Sequence, residues 1–287
     1  MKRKKIIVIG LICILAVVML AACNGNGNNG NNGGDGTIGP DIDVSDLSAM
    51  EIVIMSAEVM ENVTNFATTM ESDMTLAFLG QVMSMSIAAD MIVNFDPMKM
   101  SMTTLMEDPI TGETMDIEVY VIQEGDYLVT YMNVPQLGWV KQTEPFSEYL
   151  LNQLIQTKSP HEFMKSAEIV GEETVNGMRS WKIEVAMSSE DMFEFIRSMQ
   201  EDLVGLFDAT MFEGMGDMTF YMWIAQEYFY QVRMVIDMTD MMHAVMSEMG
   251  VDVLKMTMSV DSFSFGTAPA VVLPEEAADA TETVISL

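Results

Sequence analysis

The chain has 287 residues, 49% of them apolar, with 13 Lys and Arg against 43 Asp and Glu and a formal charge of −30. So acidic a surface excludes sequence-independent nucleic-acid binding, which needs the opposite sign, and it would repel anionic lipid headgroups. Calcium, a cationic partner or a saline habitat would suit such a charge; the plainer reading is a highly solvated surface.

Lys2, Arg3, Lys4 and Lys5 form a basic head, and an uncharged stretch follows from Ile6 to Ala22. A positive start, a short apolar run and small residues before a cut are the physical marks of an export signal. The Leu20-Ala21-Ala22-Cys23 ending resembles the lipobox of bacterial lipoproteins, in which the cysteine thiol receives a diacylglycerol before cleavage. Residues 1–22 therefore read as a lipoprotein signal peptide, and residues 23–43 as a lipidated Cys23 with an Asn/Gly-rich flexible tether. Residues 24–36 carry no apolar side chain, and a coil of that length spans about 20 Å. Two acyl chains hold a protein stably on a bilayer where one does not. The expected location is the extracytoplasmic face of the cell membrane.

Past the signal, nine Lys and Arg face 43 Asp and Glu, for a formal charge of −34. Cys13 leaves with the signal and Cys23 is the anchor, so residues 44–287 have no thiol for a disulfide, a nucleophile or a metal. The same part is rich in methionine, with 31 Met against 14 Leu beyond residue 22. The unbranched thioether adapts to irregular shapes and suits promiscuous apolar surfaces.

In chain order, Ser45–Met70 reads as a first helix, with Leu47, Met50, Ile54, Val59, Val63 and Phe66 at helical spacing and Ser45 as its cap. Strands follow. Met83, Met85, Ile87, Ala89, Met91, Val93 and Phe95 alternate with more polar neighbours. After a turn at Asp96-Pro97, so do Met98, Met100 and Met102, and then Met115, Ile117, Val119 and Val121. Period-two alternation marks strands with one apolar face, joined as hairpins. Glu124-Gly125-Asp126 turns into a strand carrying Tyr127, Val129 and Tyr131, and Trp139-Val140-Lys141 follows. Phe146–Gln156 reads as a short helix. Ala167–Thr174 and Met178–Met187 read as a hairpin, because Asn176-Gly177 suits a type I′ turn. A helix capped by Ser189 is expected over Glu190–Phe207. Strands are expected at Met218–Ala225, Tyr228–Met238 and Val251–Phe265, and a last helical turn opens at Pro274. The class is α+β, with about nine to eleven antiparallel strands in one sheet.

This order resembles the LolA/LppX-like lipoprotein carriers, and within them an uncharacterised family of Gram-positive lipoproteins of similar length. The resemblance covers residues 44–280. It rests on Gly125-Asp126-x-Leu128 before Trp139-Val140-Lys141, on Gly171 to Val185 with its Val175-Asn176-Gly177 turn and Trp181-Lys182-Ile183, on Trp223-Ile224, and on Val272-Leu273-Pro274-Glu275-Glu276-Ala277. Ala225 departs from the acidic residue usual after Trp-Ile. The resemblance implies one domain over residues 44–287, a curved antiparallel half-barrel with helices covering its concave face. It also implies that the space between sheet and helices receives acyl chains or other amphiphiles.

The residues themselves point to an adaptable apolar groove lined by Met83, Met85, Met91, Met98, Met100, Met102, Met115, Ile117, Met256 and Met258. The plainer reading is that they fill a core. Copper is a second reading, since thioethers select Cu(I) and Met98-x-Met100-x-Met102 or Met241-Met242-His243 could supply them. Catalysis finds little support. His161 and His243 sit in no recognisable motif, and the pairs Glu172-Glu173, Glu190-Asp191 and Glu275-Glu276 are consecutive residues that do not face one another. The sequence thus predicts a non-enzymatic lipoprotein without cofactor or metal. It would bind an apolar or amphiphilic ligand and no nucleic acid; the alternative is an envelope scaffold or sensory lipoprotein that engages a cell-envelope partner and holds no ligand.

Overall fold

The computed structural model describes residues 47–78, 80–107, 114–134, 137–146, 163–192, 194, 216–247 and 250–282. The signal, Cys23, the tether, His161 and the helix expected at 146–156 beyond Phe146 lie outside them. The described chain is mostly strand with few helices, and it divides into two compact units.

The first unit draws its described residues from Thr64–Asn152 and Val235–Leu287. It holds β1 (Asn65–Phe78), β2 (Gln81–Phe95), β3 (Met98–Glu107), β4 (Thr114–Glu124), β5 (Tyr127–Val134) and β6 (Gly138–Pro145), together with β11 (Val251–Phe263). The two-residue β12 (Thr281–Glu282) completes its strands. Their order is β12-β6-β5-β4-β3-β2-β1-β11, an open sheet. The pairs are antiparallel except β12 with β6, where Thr281 and Glu282 run parallel to Val140 and Lys141. Helix α2 (Thr239–Ser247) packs on β11. The backbone N–H of Met256 donates to Thr239 Oγ1 at 2.8 Å, and that of Met238 to the Met256 carbonyl at 2.8 Å.

A short 3-10 helix (Glu275–Asp279) lays Ala277 and Ala280 on Val129 and Tyr131, with Tyr120, Ile122, Trp139 and Leu273 around them. The Tyr131 hydroxyl donates to Glu124 at 3.2 Å. Burial first, and then the Glu124 carboxylate, raise its pKa above the ordinary phenol value.

The second unit draws its described residues from Met19–Val63 and Gln153–Met234. It contains α1 (Ala49–Met60) and β7 (Met164–Val175), β8 (Met178–Met187) and β9 (Met218–Ala225) in the order β9-β8-β7. The strand β10 (Gln231–Asp237) has residues in both units. Helix α1 packs on β7 and β9. Ile52, Ile183, Val185 and Ile224 are each fully buried, the centre of an ordinary aliphatic core. Asn176 and Gly177 make the β7–β8 turn with φ of 51° and 81°, the left-handed region that favours glycine and tolerates asparagine.

β7 ends the strand order, and two register shifts break its pairing with β8, at Met164/Ser166 and at Ile169/Gly171. Lys165, Glu168, Glu172 and Glu173 stand exposed along it.

Five expectations need correction. The first helix ends at Met60, and Asn65–Phe78 is a strand. From Phe66 on, the buried residues Phe66, Thr68, Met70, Ser72, Met74 and Leu76 recur at period two, and β-branched Thr side chains favour the strand. The cap is Ser48 rather than Ser45: its Oγ accepts from the Glu51 N–H at 3.3 Å, and Glu51 Oε2 accepts from the Ser48 N–H at 2.8 Å. That is a reciprocal capping box. The helical residues after β8 are capped by Ser188, not Ser189, since the Asp191 N–H donates to Ser188 Oγ at 3.0 Å. Helix α2 was not anticipated, and it places His243 on a helix instead of past a strand end. The described strands number twelve, one more than the upper expectation: β1 had been read partly as helix, and the two-residue β12 carries no sequence pattern.

Candidate functional site

The strand register of the first unit decides which side chains share a face. Met256 lies opposite Met74, and Met74 opposite Met85. Met258 lies opposite Ser72, which faces Ile87; Ile87 faces Met106, and Met106 faces Met115. A third row runs Val260, Met70, Ala89, Thr104, Ile117. A fourth passes through Thr68, Met91, Met102 and Val119, and a fifth through Phe66, Val93, Met100 and Val121. Met83 faces Leu76, and Met98 faces Phe95. Because side chains alternate along a strand, all ten groove candidates stand on one face of β11, β1, β2, β3 and β4.

Every residue of that face on these five strands is uncharged. The opposite face is another material. It carries Glu71, Asp73, Asp90, Asp116 and Glu118, with Ser86 Oγ donating to Asp73 at 2.6 Å. The Tyr120 hydroxyl donates to Glu118 at 3.4 Å, and burial first, then that carboxylate, push its pKa up. The sheet thus separates a solvated anionic side from an apolar one.

Burial grades across the apolar face. Met256 (2%), Met74 (3%), Met258 and Met106 (4% each) are essentially closed to solvent. Met83, Met85, Met100, Met102, Met115 and Ile117 are only partly buried. The sequence reading missed Met70, Met74, Met106 and Thr104. Met70 was hidden by the helix assigned too far, Met74 lay between that helix and the first expected strand, and the others were lost by stopping the alternation of β3 at Thr103. Thr104 is buried at 3% exposure, and its Oγ1 has no hydrogen-bond partner.

The remaining candidates separate. Met241 and Met242 are buried on α2 while His243 is exposed, so these consecutive residues do not converge into one donor set. Met98, Met100 and Met102 do share a face, as alternate residues of a strand must. The acidic pair Glu172-Glu173 is spent on β8: Arg179 Nη2 lies 2.5 Å from Glu172, and Lys182 Nζ lies 3.5 Å from Glu173. The Arg179 contact lowers the Glu172 pKa. Lys182 also sits 5.0 Å from the Tyr221 and Trp223 ring centres, within cation–π range. An open cleft of about 450 Å³ lies by the β7–β8 turn, lined by Gly177, Met178, Arg179, Ala225, Gln226 and Glu227. It contains none of the ten predicted residues. Among the described residues no group of three or more His, Cys, Asp or Glu is placed to hold a metal ion, and no helix is long and apolar enough to cross a membrane.

Residues 48–282 match the model of a family described as Family of unknown function (DUF6612). The chain belongs to that family. The match begins at the Ser48 cap and ends at the last residue of β12, so in this DUF6612 chain it takes in every element described above. No curated protein matches the chain in sequence. Solved structures similar to it include the lipoprotein LppX of Mycobacterium tuberculosis, at 12% identity and a TM-score of 0.46, covering 78% of this chain and 98% of that one. LprF from Mycobacterium bovis matches at 13% identity and a TM-score of 0.45, covering 80% and 97%. A LolA superfamily protein from Nitrosomonas europaea matches at 8% identity and a TM-score of 0.20, covering 80% and 96%.

Proposed function

We propose that this DUF6612 chain is a membrane-anchored extracytoplasmic lipoprotein that binds a lipid or other amphiphile on the Met-lined face of its first unit. The observation that carries the reading is the five-strand apolar face without one charged side chain, graded from closed to half-open. A large exposed or semi-exposed apolar surface on a soluble domain marks a site for a partner or ligand. Thioether side chains let such a surface fit chains of varying shape. The half-barrel curvature and the covering helices implied by the family resemblance belong to this reading. So do the diacylglyceryl anchor at Cys23 and the tether after it. No acid–base pair, metal or cofactor enters.

The ligand-free scaffold is the second reading, and one observation favours it: Met74, Met106, Met256 and Met258 are each buried within the core. The two separate on one experiment. The protein is purified gently, examined by native mass spectrometry, and titrated with a fluorescent apolar probe. Co-purifying lipid, or a probe that fatty acids displace, supports the carrier. A protein that arrives empty and ignores the probe is a scaffold.

A further inference from the structure

Resting on the amphiphile-binding reading, we infer that Thr104 is the polar contact of the groove, and that the preferred ligand carries a neutral acyl oxygen, an ester carbonyl, rather than an ionised carboxylate. Thr104 stands on β3 of the uncharged face, between Ala89 on β2 and Ile117 on β4. Its neighbours along β3 on that face are Met102 and Met106. The hydroxyl is 97% buried in an apolar surround and makes no hydrogen bond.

Buried hydroxyls are normally paired, because an unpaired one loses its water without compensation. Two other buried hydroxyls of the same face show the usual remedy. Thr68 Oγ1 donates to the Asp261 carbonyl at 2.8 Å, and Ser262 Oγ donates to Thr68 at 3.5 Å. Thr104 has no such local acceptor. A valine would fill the same volume and suit a strand better, so the hydroxyl is the part that calls for a partner from outside the chain. Ala89, its partner on β2, is the smallest side chain in the row.

The charge of the partner follows from the surroundings. No cation faces this row from β1, β2, β3, β4 or β11. An ionised carboxylate there would be desolvated with a single neutral donor to offset it, whereas an ester carbonyl needs one donor only. Hence an O-acylated lipid should be held better than its free acid.

The test uses the full chain and three pyrene probes of equal chain length: an alkylpyrene, a pyrene fatty acid at pH 8, and its methyl ester. The wild type should bind the ester more tightly than the ionised acid. Thr104→Val should weaken the ester about tenfold, leave the alkylpyrene within twofold, and melt at or above the wild-type temperature. Thr104→Ser should keep the ester. Equal ester affinity in the wild type and Thr104→Val, with the alkylpyrene still bound, overturns the role of the hydroxyl and spares the groove. Rejection of all three probes by the wild type overturns both.

Discussion

At Ser48 a single side chain sets where the first helix begins, and its reach can be tested. The Glu51 carboxylate accepts from both the backbone and the hydroxyl of Ser48, and these bonds, hydroxyl first, lower its pKa. Replacing an N-cap serine by alanine costs about 1 kcal/mol, so Ser48→Ala should lower the unfolding free energy by that amount at pH 7, seen as a lower urea midpoint. The sign of the pH effect is fixed. A carboxylate whose folded pKa lies below its unfolded value contributes stability above the unfolded value and loses it as pH falls through the folded one. The gap between wild type and Ser48→Ala should therefore narrow on acidification to pH 3. Urea titrations at the two pH values measure it, and a gap that stays constant would show that Glu51 adds nothing to the cap.

Among elements, the 3-10 helix near the C-terminus has the most specific role, because a five-residue segment covers an entire patch of β4, β5 and β6. Ala277 is fully buried against Val129 and Tyr131. Introducing a carboxylate there without a partner costs several kcal/mol. Ala277→Asp should therefore release the segment, with fast amide exchange appearing along β12 and at the one N–H of Val140 and Lys141 that points towards it. Retained protection would show that the segment is not held by Ala277. The strands on which this rests were legible because alternation survives in sequence: β2, β8 and β9 fall within two residues of their expected limits. The limit of α1 was not legible, since Val59, Val63 and Phe66 fit helical spacing as well as they fit a helix followed by a strand. Helix α2 escaped because Met238 was read with the preceding strand and residues 239–250 were assigned to no element, while no Gly or Pro punctuates Thr239–Ser247. The ten groove candidates were found by parity alone. Their arrangement in rows needed the pairing of β11 with β1, two strands far apart in sequence that no local pattern links.

For the molecule as a whole, the graded apolar face predicts a division between positions that hold the fold and positions that hold cargo. Met256→Ala removes a side chain at 2% exposure and should cost about 2–5 kcal/mol. Met100→Ser with Met102→Ser alters half-buried positions, and should cost less stability while weakening an apolar probe about tenfold. Thermal melts and probe titrations on both variants check this. Equal losses of stability with no change in probe affinity would make the face a plain core. A different consequence follows from the two interruptions in β7. A strand at the end of a sheet offers unpaired amides to any other chain, and kinks with like charges are what discourage that approach. In β7 the deterrent charges are mostly glutamates beside the exposed Ile169 and Val170. Neutral substitutions at Glu168, Glu172 and Glu173 would strip that protection, and copies of this otherwise highly repulsive molecule would then be free to stack edge to edge into filaments.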